Sequence, residues 1–327
     1  MDDNNKCYNF KQLLIINLNH ASLDPFLNWN IIATMKAIFK KNNRITLQEK
    51  HIPDLIDGND LLIKVTLAAL CRTDLYVAQN KIPVKDGITI GHEFTGIVEK
   101  MGCNVDGIKP MQRVGVMPVF FNGDDFSMLG IEIDGAYADY IRVPASNVFP
   151  IPDELTIEEA AFLEPIAASL AVCNAAIYPA DRGLIYGQNR TAELTRRILK
   201  LKGFNSIDVC MENQRPKQTN SYDFVIETSA TTEAFEDIAR LVKPKGMILL
   251  KSRPYSAIPM PISTIVRKEI QLKGVHYGGF KEGIALIASK QLDVSDLFGC
   301  TYSFEEAIPI LLGEKILPED KKIFFKP

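Results

Sequence analysis

Gly183-Leu-Ile-Tyr-Gly187, followed by the amphipathic run Thr191–Lys202 and then Gly203, decides the fold. A short apolar strand turns at a glycine into a helix-period segment, and Gly203 is placed to end that helix as a C-cap. The texture repeats downstream. Ile207–Met211 and Tyr222-Asp-Phe-Val-Ile-Glu227 read as strands, Thr231–Val242 as a helix closed by Pro244 and Gly246, and Met247–Lys251 as a further strand. Strand–helix–strand alternation predicts a parallel sheet covered by helices on its faces.

Upstream the texture is different. From Met35 to about Ile151 the chain is β-rich, with strand-like runs at Leu61–Leu70, Glu93–Glu99 and Arg113–Val119. Gly87, Gly91, Gly102, Gly107, Pro110 and Gly115 punctuate them, a spacing that suits a small irregular barrel. Thr156 with Glu159 fits a capping box. Pro165 suits the first turn of a second helix, expected to run to about Tyr178. A helix near Phe304–Leu312 and a last strand Lys322–Phe325 are expected to return to the β-rich part.

Composition bounds the function. A chain of 327 residues, 46% hydrophobic and 24% charged, has material for two cores. A formal net charge of -3 offers no basic excess for nucleic acid. No apolar stretch approaches the roughly 20 residues that span a bilayer. The cysteines (Cys7, Cys71, Cys103, Cys173, Cys210 and Cys300) are scattered without a C-x-x-C pair, which fits a reducing cytoplasm better than a disulfide framework. Residues 1–34, rich in asparagine, read as a loosely ordered extension, an arm, or sequence translated ahead of a start at Met35.

Three segments carry candidate chemistry: Cys71-Arg-Thr-Asp74 directly after a strand, Gly91-His-Glu93 some way on, and Glu164-Pro165 at a helix junction. Catalytic zinc commonly takes three ligands from Cys, His and carboxylate and keeps one position open. Read singly, Cys71 reads first as a small core residue, and His92-Glu93 as a satisfied polar pair.

Together these segments resemble zinc-dependent medium-chain dehydrogenases of the alcohol and polyol type. Thr89-Ile-Gly-His-Glu-Phe-Thr-Gly-Ile-Val98 is the most specific stretch, Asp134-Gly-Ala-Tyr-Ala-Asp-Tyr140 resembles another family segment, and Met35-Lys-Ala-Ile38 a typical first strand. The resemblance runs from Met35 to the C-terminus, strongly over 60–170 and weakly after 180. It implies an α/β chain with a GroES-like β-barrel catalytic domain (35–165 and 295–327) and a reduced Rossmann domain (166–294), with the active site between them. By position it makes Cys71 and His92 zinc ligands, Glu93 a ligand or close carboxylate, and Glu164 a direct or water-mediated ligand. Asp74 would orient His92, Thr73 would pass on the substrate proton, and Arg72 would contact the cofactor pyrophosphate. Tyr76 stands where some members carry a relay histidine. The stretch Pro118–Asp134 lacks the cysteines that hold a second, structural zinc in many members, so one zinc is expected.

The dinucleotide fingerprint is altered. Gly187-Gln-Asn189-Arg-Thr-Ala192 has its first and third small residues, but Asn189 stands where a second glycine lets backbone approach the pyrophosphate. Arg190 is a compensating charge or a solvated one. Glu212 matches the acidic residue that binds ribose hydroxyls, which favours NAD over NADP, with Arg215 pulling the other way; it reads equally as a solvated strand end. Only nine residues separate Glu212 from Tyr222, where relatives place a helix and a strand. The expectation is a dehydrogenase acting on a secondary alcohol of polyol, sugar or amino-sugar type, with no nucleic-acid or membrane partner, as a homo-oligomer (dimer or tetramer). The competing reading is a non-redox descendant that keeps zinc or another ligand beside an eroded cofactor site.

Overall fold

The structure is a computed structural model that describes residues 33–123, 125–210, 217–316, 318 and 320–327. Most of the proposed N-terminal extension, together with Glu212 and Arg215, lies outside the described residues.

The β-rich half is built on the long strand Asp60–Ala69, which pairs antiparallel with Glu93–Met101, Tyr140–Pro144 and the C-terminal Lys322–Lys326. Around it the strands run in the order Val148–Pro150, Arg113–Val116, Glu93–Met101, Asp60–Ala69, Lys322–Lys326, Phe298–Ser303. A smaller sheet, Arg44–His51, Thr34–Lys41 and Ile88–Thr89, covers one side. In Thr34–Lys41, Met35 and Ala37 bury on one face and Ile38 on the other, while Thr34, Lys36 and Lys41 are exposed. Phe324 and Phe325 are buried beside Ala69 and Ala68, and their strand lies inside the sheet between Asp60–Ala69 and Phe298–Ser303.

The second half is a five-stranded parallel sheet in the order Ile207–Cys210, Gly183–Tyr186, Tyr222–Glu227, Val242–Leu250, Gln271–Gly274. Helix Arg190–Leu201 follows the first of these strands in sequence, and Thr232–Leu241 the third. Among the described residues no strand lies beyond Ile207–Cys210, in keeping with the short connection between Glu212 and Tyr222.

Helices Ile157–Ala161 and Leu163–Leu170 join the halves. The capping box is present: the Thr156 side chain accepts from the Glu159 N–H, and Glu159 accepts from the Thr156 N–H. The second helix is shorter than its sequence suggests. It tightens into a 3-10 turn at Ala171–Asn174 and ends at Ala175, with the Asn174 side chain tied to the Tyr277 carbonyl. Helix Phe280–Ala288 packs Phe280, Leu286 and Ile287 into one core with Leu163, Ile166, Leu67 and Phe324.

Candidate metal centre and dinucleotide cradle

Cys71 caps helix Arg72–Ala78, at the end of the strand that carries Ala69. His92 follows the turn at Gly91, whose φ of +94° belongs to glycine. A Cβ there would lie 2.3 Å from the Tyr137 ring. The segment Gly135–Tyr137 runs against this turn, with backbone bonds from Ala136 N to Gly91 O (2.9 Å) and from Tyr137 N to Ile90 O (2.8 Å). That lattice is the physical reason the Asp134-Gly-Ala-Tyr motif accompanies the Gly-His-Glu motif.

These turns bring ligand atoms of Cys71, His92 and Glu93 within 4.8 Å of one another. His92 and Glu93 are buried, and Cys71 is half-buried. Nδ1 of His92 stands 3.0 Å from Asp74 Oδ1, an ion-pair contact, and neither buried ring nitrogen has a hydrogen-bond partner of full geometry among the described residues. Burial opposes protonation of His92, but the charges of Asp74 and Cys71 outweigh it and hold the imidazole well above its ordinary range in the ion-free protein. Glu93 is paired with the buried Lys322. Glu164, also buried, accepts from the Tyr277 hydroxyl. Burial and then the charge of Glu93 raise the Glu164 pKa, against the pull of His92, Tyr277 and Lys322. Acidic and thiol groups thus crowd a buried imidazole. Such a donor set suits a divalent cation of zinc type.

Thr73 is buried, and the Tyr255 ring meets Tyr76 edge-on at 5.9 Å. Lys251 lies at the end of strand Val242–Leu250. Its amine donates to the His276 carbonyl at 2.9 Å and feels the charges of Glu164 and Cys71. Sequence reasoning missed Lys322, Tyr277, Lys251 and Tyr255. None sits in a local motif, and each reaches the site only through the tertiary fold.

At the other end of the cleft, Gly187 has a φ of +123°, and a Cβ there would lie 2.3 Å from Thr228 Oγ1. Asn189 caps helix Arg190–Leu201: its Oδ1 accepts from Ala192 N at 3.0 Å, and its Nδ2 donates to Thr228 O at 2.9 Å. The side chain is therefore folded back into the turn, and the helix N-terminus remains available to an anion. The Arg190 guanidinium donates to the Lys321 carbonyl at 2.7 Å. Arg72 is exposed on the first turn of its helix, with no ion pair among the described residues. The glycine cradle and helix N-terminus suit a dinucleotide pyrophosphate.

A barrel with this buried Cys–His–carboxylate cluster, joined to a parallel nucleotide-type sheet, defines the class of zinc-binding dehydrogenases. The alcohol dehydrogenase GroES-like domain matches residues 57–153. An alcohol dehydrogenase of Cupriavidus necator is 30% identical over 293 residues, covering 71% of this chain and 80% of that protein. The L-threonine 3-dehydrogenase of Chromobacterium violaceum is 24% identical, over 83% of this chain and 94% of its own. Among solved structures, 2R,3R-butanediol dehydrogenase from Bacillus subtilis superposes with a TM-score of 0.77 at 21% identity, covering 90% of this chain and 99% of that one. Acetophenone reductase from Geotrichum candidum, solved in complex with NAD, gives 0.79 at 18% identity, over 90% and 97%. The chain belongs to the zinc-dependent medium-chain dehydrogenase family.

Proposed function

We propose that this protein is a zinc-dependent oxidoreductase that moves a hydride between a secondary alcohol, of polyol, sugar or amino-sugar type, and NAD. The observation that carries the reading is the convergence of Cys71, His92 and Glu93 around one point, beside a sheet whose Gly187 turn is shaped for a pyrophosphate. When bound, zinc supplies Lewis acidity toward the substrate oxygen, and the nicotinamide carries the hydride. Cys71 and His92 would hold the ion, with Glu93 or Glu164 as the acidic ligand. One zinc per chain is assigned. Asp74 fixes the His92 ring through Nδ1, leaving Nε2 for the metal. Thr73 would take the proton of the substrate hydroxyl and pass it outward, with Tyr76 standing where some members carry a relay histidine. Arg72 is assigned to the cofactor. NAD is assigned over NADP on the position of Glu212 alone.

The test is a metal and dinucleotide analysis of the purified chain. Near-stoichiometric zinc and saturable NADH binding are expected, and Cys71→Ala should lose zinc and alcohol oxidation together. An active, metal-free Cys71→Ala protein would sink the proposal. Zinc retention without any dinucleotide binding would favour the non-redox descendant instead.

We assign a homo-oligomer on one feature of the sheet. Strand Gln271–Gly274 is its outer edge, and the adjoining helix Ile262–Arg267 exposes Ile262 at 58% and Val266 at 69%. Light scattering checks this. A cytoplasmic location rests on the scattered free thiols; no helix among the described residues is long and apolar enough to cross a membrane.

A further inference from the structure

The cleft beside the metal cluster carries two cations that the dehydrogenase chemistry does not use. Lys251 ends strand Val242–Leu250, and Arg253 follows it by two residues. Among the described residues neither lies within ion-pair distance of a carboxylate. The Lys251 amine donates only to the His276 carbonyl, at 2.9 Å. The Arg253 guanidinium contacts the His276 ring nitrogen at 2.8 Å and the Met128 sulfur at 3.6 Å. His276 adds no negative charge, and Phe126 and Tyr277 flank its ring at 5.4 and 4.3 Å. Hairpin Val119–Asn122 and Asp125–Met128 thus reaches this spot through Phe126 and Met128.

Lys251, largely withdrawn from solvent, loses hydration without gaining a counter-charge, while Arg253 is exposed at the mouth of the same spot. Burial lowers the Lys251 pKa to about 8, with Arg253 adding to the effect. A ligand carrying negative charge would supply what the protein withholds. Arg253, a planar fork, suits a carboxylate or a phosphate, and Lys251 supplies a point charge.

We propose that Lys251 and Arg253 form an anion subsite next to the reacting carbon, so that the substrate is a secondary alcohol bearing a carboxylate or a phosphate. The placement rests on the reading of the Cys71–His92 cluster as the reaction centre. It is on that side of the cleft: Lys251 and Arg253 both contact His276, and the next residue, Tyr277, donates its hydroxyl to Glu164. The dinucleotide cradle at Gly187 is two strands away, about 10 Å at ordinary strand spacing. The anion is therefore the substrate's own and not a phosphate of the cofactor. A hydroxy acid, a sugar acid or a polyol phosphate has the required chemistry.

Matched probes test this with the zinc-loaded full chain. Lactate against propane-1,2-diol, and glycerol 3-phosphate against glycerol, differ in the anionic group while each keeps a secondary alcohol. Calorimetry and, separately, NAD reduction should favour the better charged probe over its neutral twin by about 10- to 100-fold, the scale of one charge-assisted hydrogen bond. Arg253→Met and Lys251→Met should each erase most of that preference. Equal binding of the twins, or a preference that survives both substitutions, overturns the subsite even if alcohol oxidation is found. Charged-probe binding that depends on Arg253 without any hydride transfer upholds the subsite while the dehydrogenase reading fails. NADH affinity is measured on the same variants. A tenfold loss in Arg253→Met without a change in the twin preference assigns the cations to the cofactor and overturns the proposal.

Discussion

Asp74 contacts two of the candidate metal ligands, Cys71 and His92, through one carboxylate. Its Oδ1 stands 3.0 Å from Nδ1 of His92. Its Oδ2 accepts the Cys71 backbone N–H at 2.9 Å and the Tyr137 hydroxyl at 2.7 Å. The ring is thereby turned so that Nε2 faces the cluster, and the helix start that presents the thiol is fixed by the same group.

The consequence for metal binding is direct. Asp74→Asn keeps the size of the side chain but removes the negative charge that faces His92 Nδ1. Zinc affinity should fall by about 10- to 100-fold, the usual effect of removing such an outer partner. Competition with a chromophoric chelator measures it. Wild-type zinc retention in Asp74→Asn would remove the orienting role.

Lys322 and Glu93 are a second such unit. Both are buried, at 1% and 2% exposure, and they are paired. Breaking a buried pair from one side strands a charge at a cost of roughly 3–5 kcal/mol. Lys322→Met should therefore destabilise the zinc-free protein by about that much in urea unfolding. Because a bound cation offers Glu93 another counter-charge, the loss should be smaller with zinc present. The double variant Glu93→Gln with Lys322→Met should recover most of the zinc-free loss. A single-variant loss below about 1 kcal/mol, typical of an exposed pair, would show that the pair is not desolvated.

How far the site could be read in advance follows from this geometry. Cys71 and Asp74 share one helix turn, and His92 and Glu93 are adjacent, so each pair appears as a short motif. The parallel sheet was legible for the same reason, since each strand and its helix are local. Lys322 was not legible. It reaches Glu93 only because Lys322–Lys326 inserts beside Asp60–Ala69, and nothing near it in the chain announces a buried lysine. Lys251 and Tyr277 are hidden likewise, at the ends of separate strands.

Asn189 shows the opposite case, where the local pattern was visible but its meaning was not. A missing glycine in the fingerprint suggests a blocked cradle. The side chain instead caps the helix and ties it to Thr228. Asn189→Ala should cost about 1 kcal/mol and Asn189→Gly only a few tenths from the cap itself, with the Thr228 bond lost equally in both. Thermal melts of the two variants rank them. An alanine variant as stable as wild type would mean that the cap contributes nothing.

His276 gives the pH dependence. Burial, then the charges of Arg253 and Lys251, lower its pKa from 6.5 to about 4. The unfolded chain protonates this ring near its ordinary value, whereas the folded chain resists until about 4. Between those limits the unfolded state holds the extra proton, so the contribution of this group to stability falls as pH drops from 6.5 to about 4. Above 6.5 both states are neutral at this ring and the effect vanishes. Zinc-free His276→Gln should therefore lose less stability than zinc-free wild type between neutral pH and pH about 5, with an unfolding proton uptake lower by up to about one. Urea titrations at the two pH values give the comparison. Parallel losses in both proteins would show that the ring titrates normally in the fold and that the two cations do not bear on it.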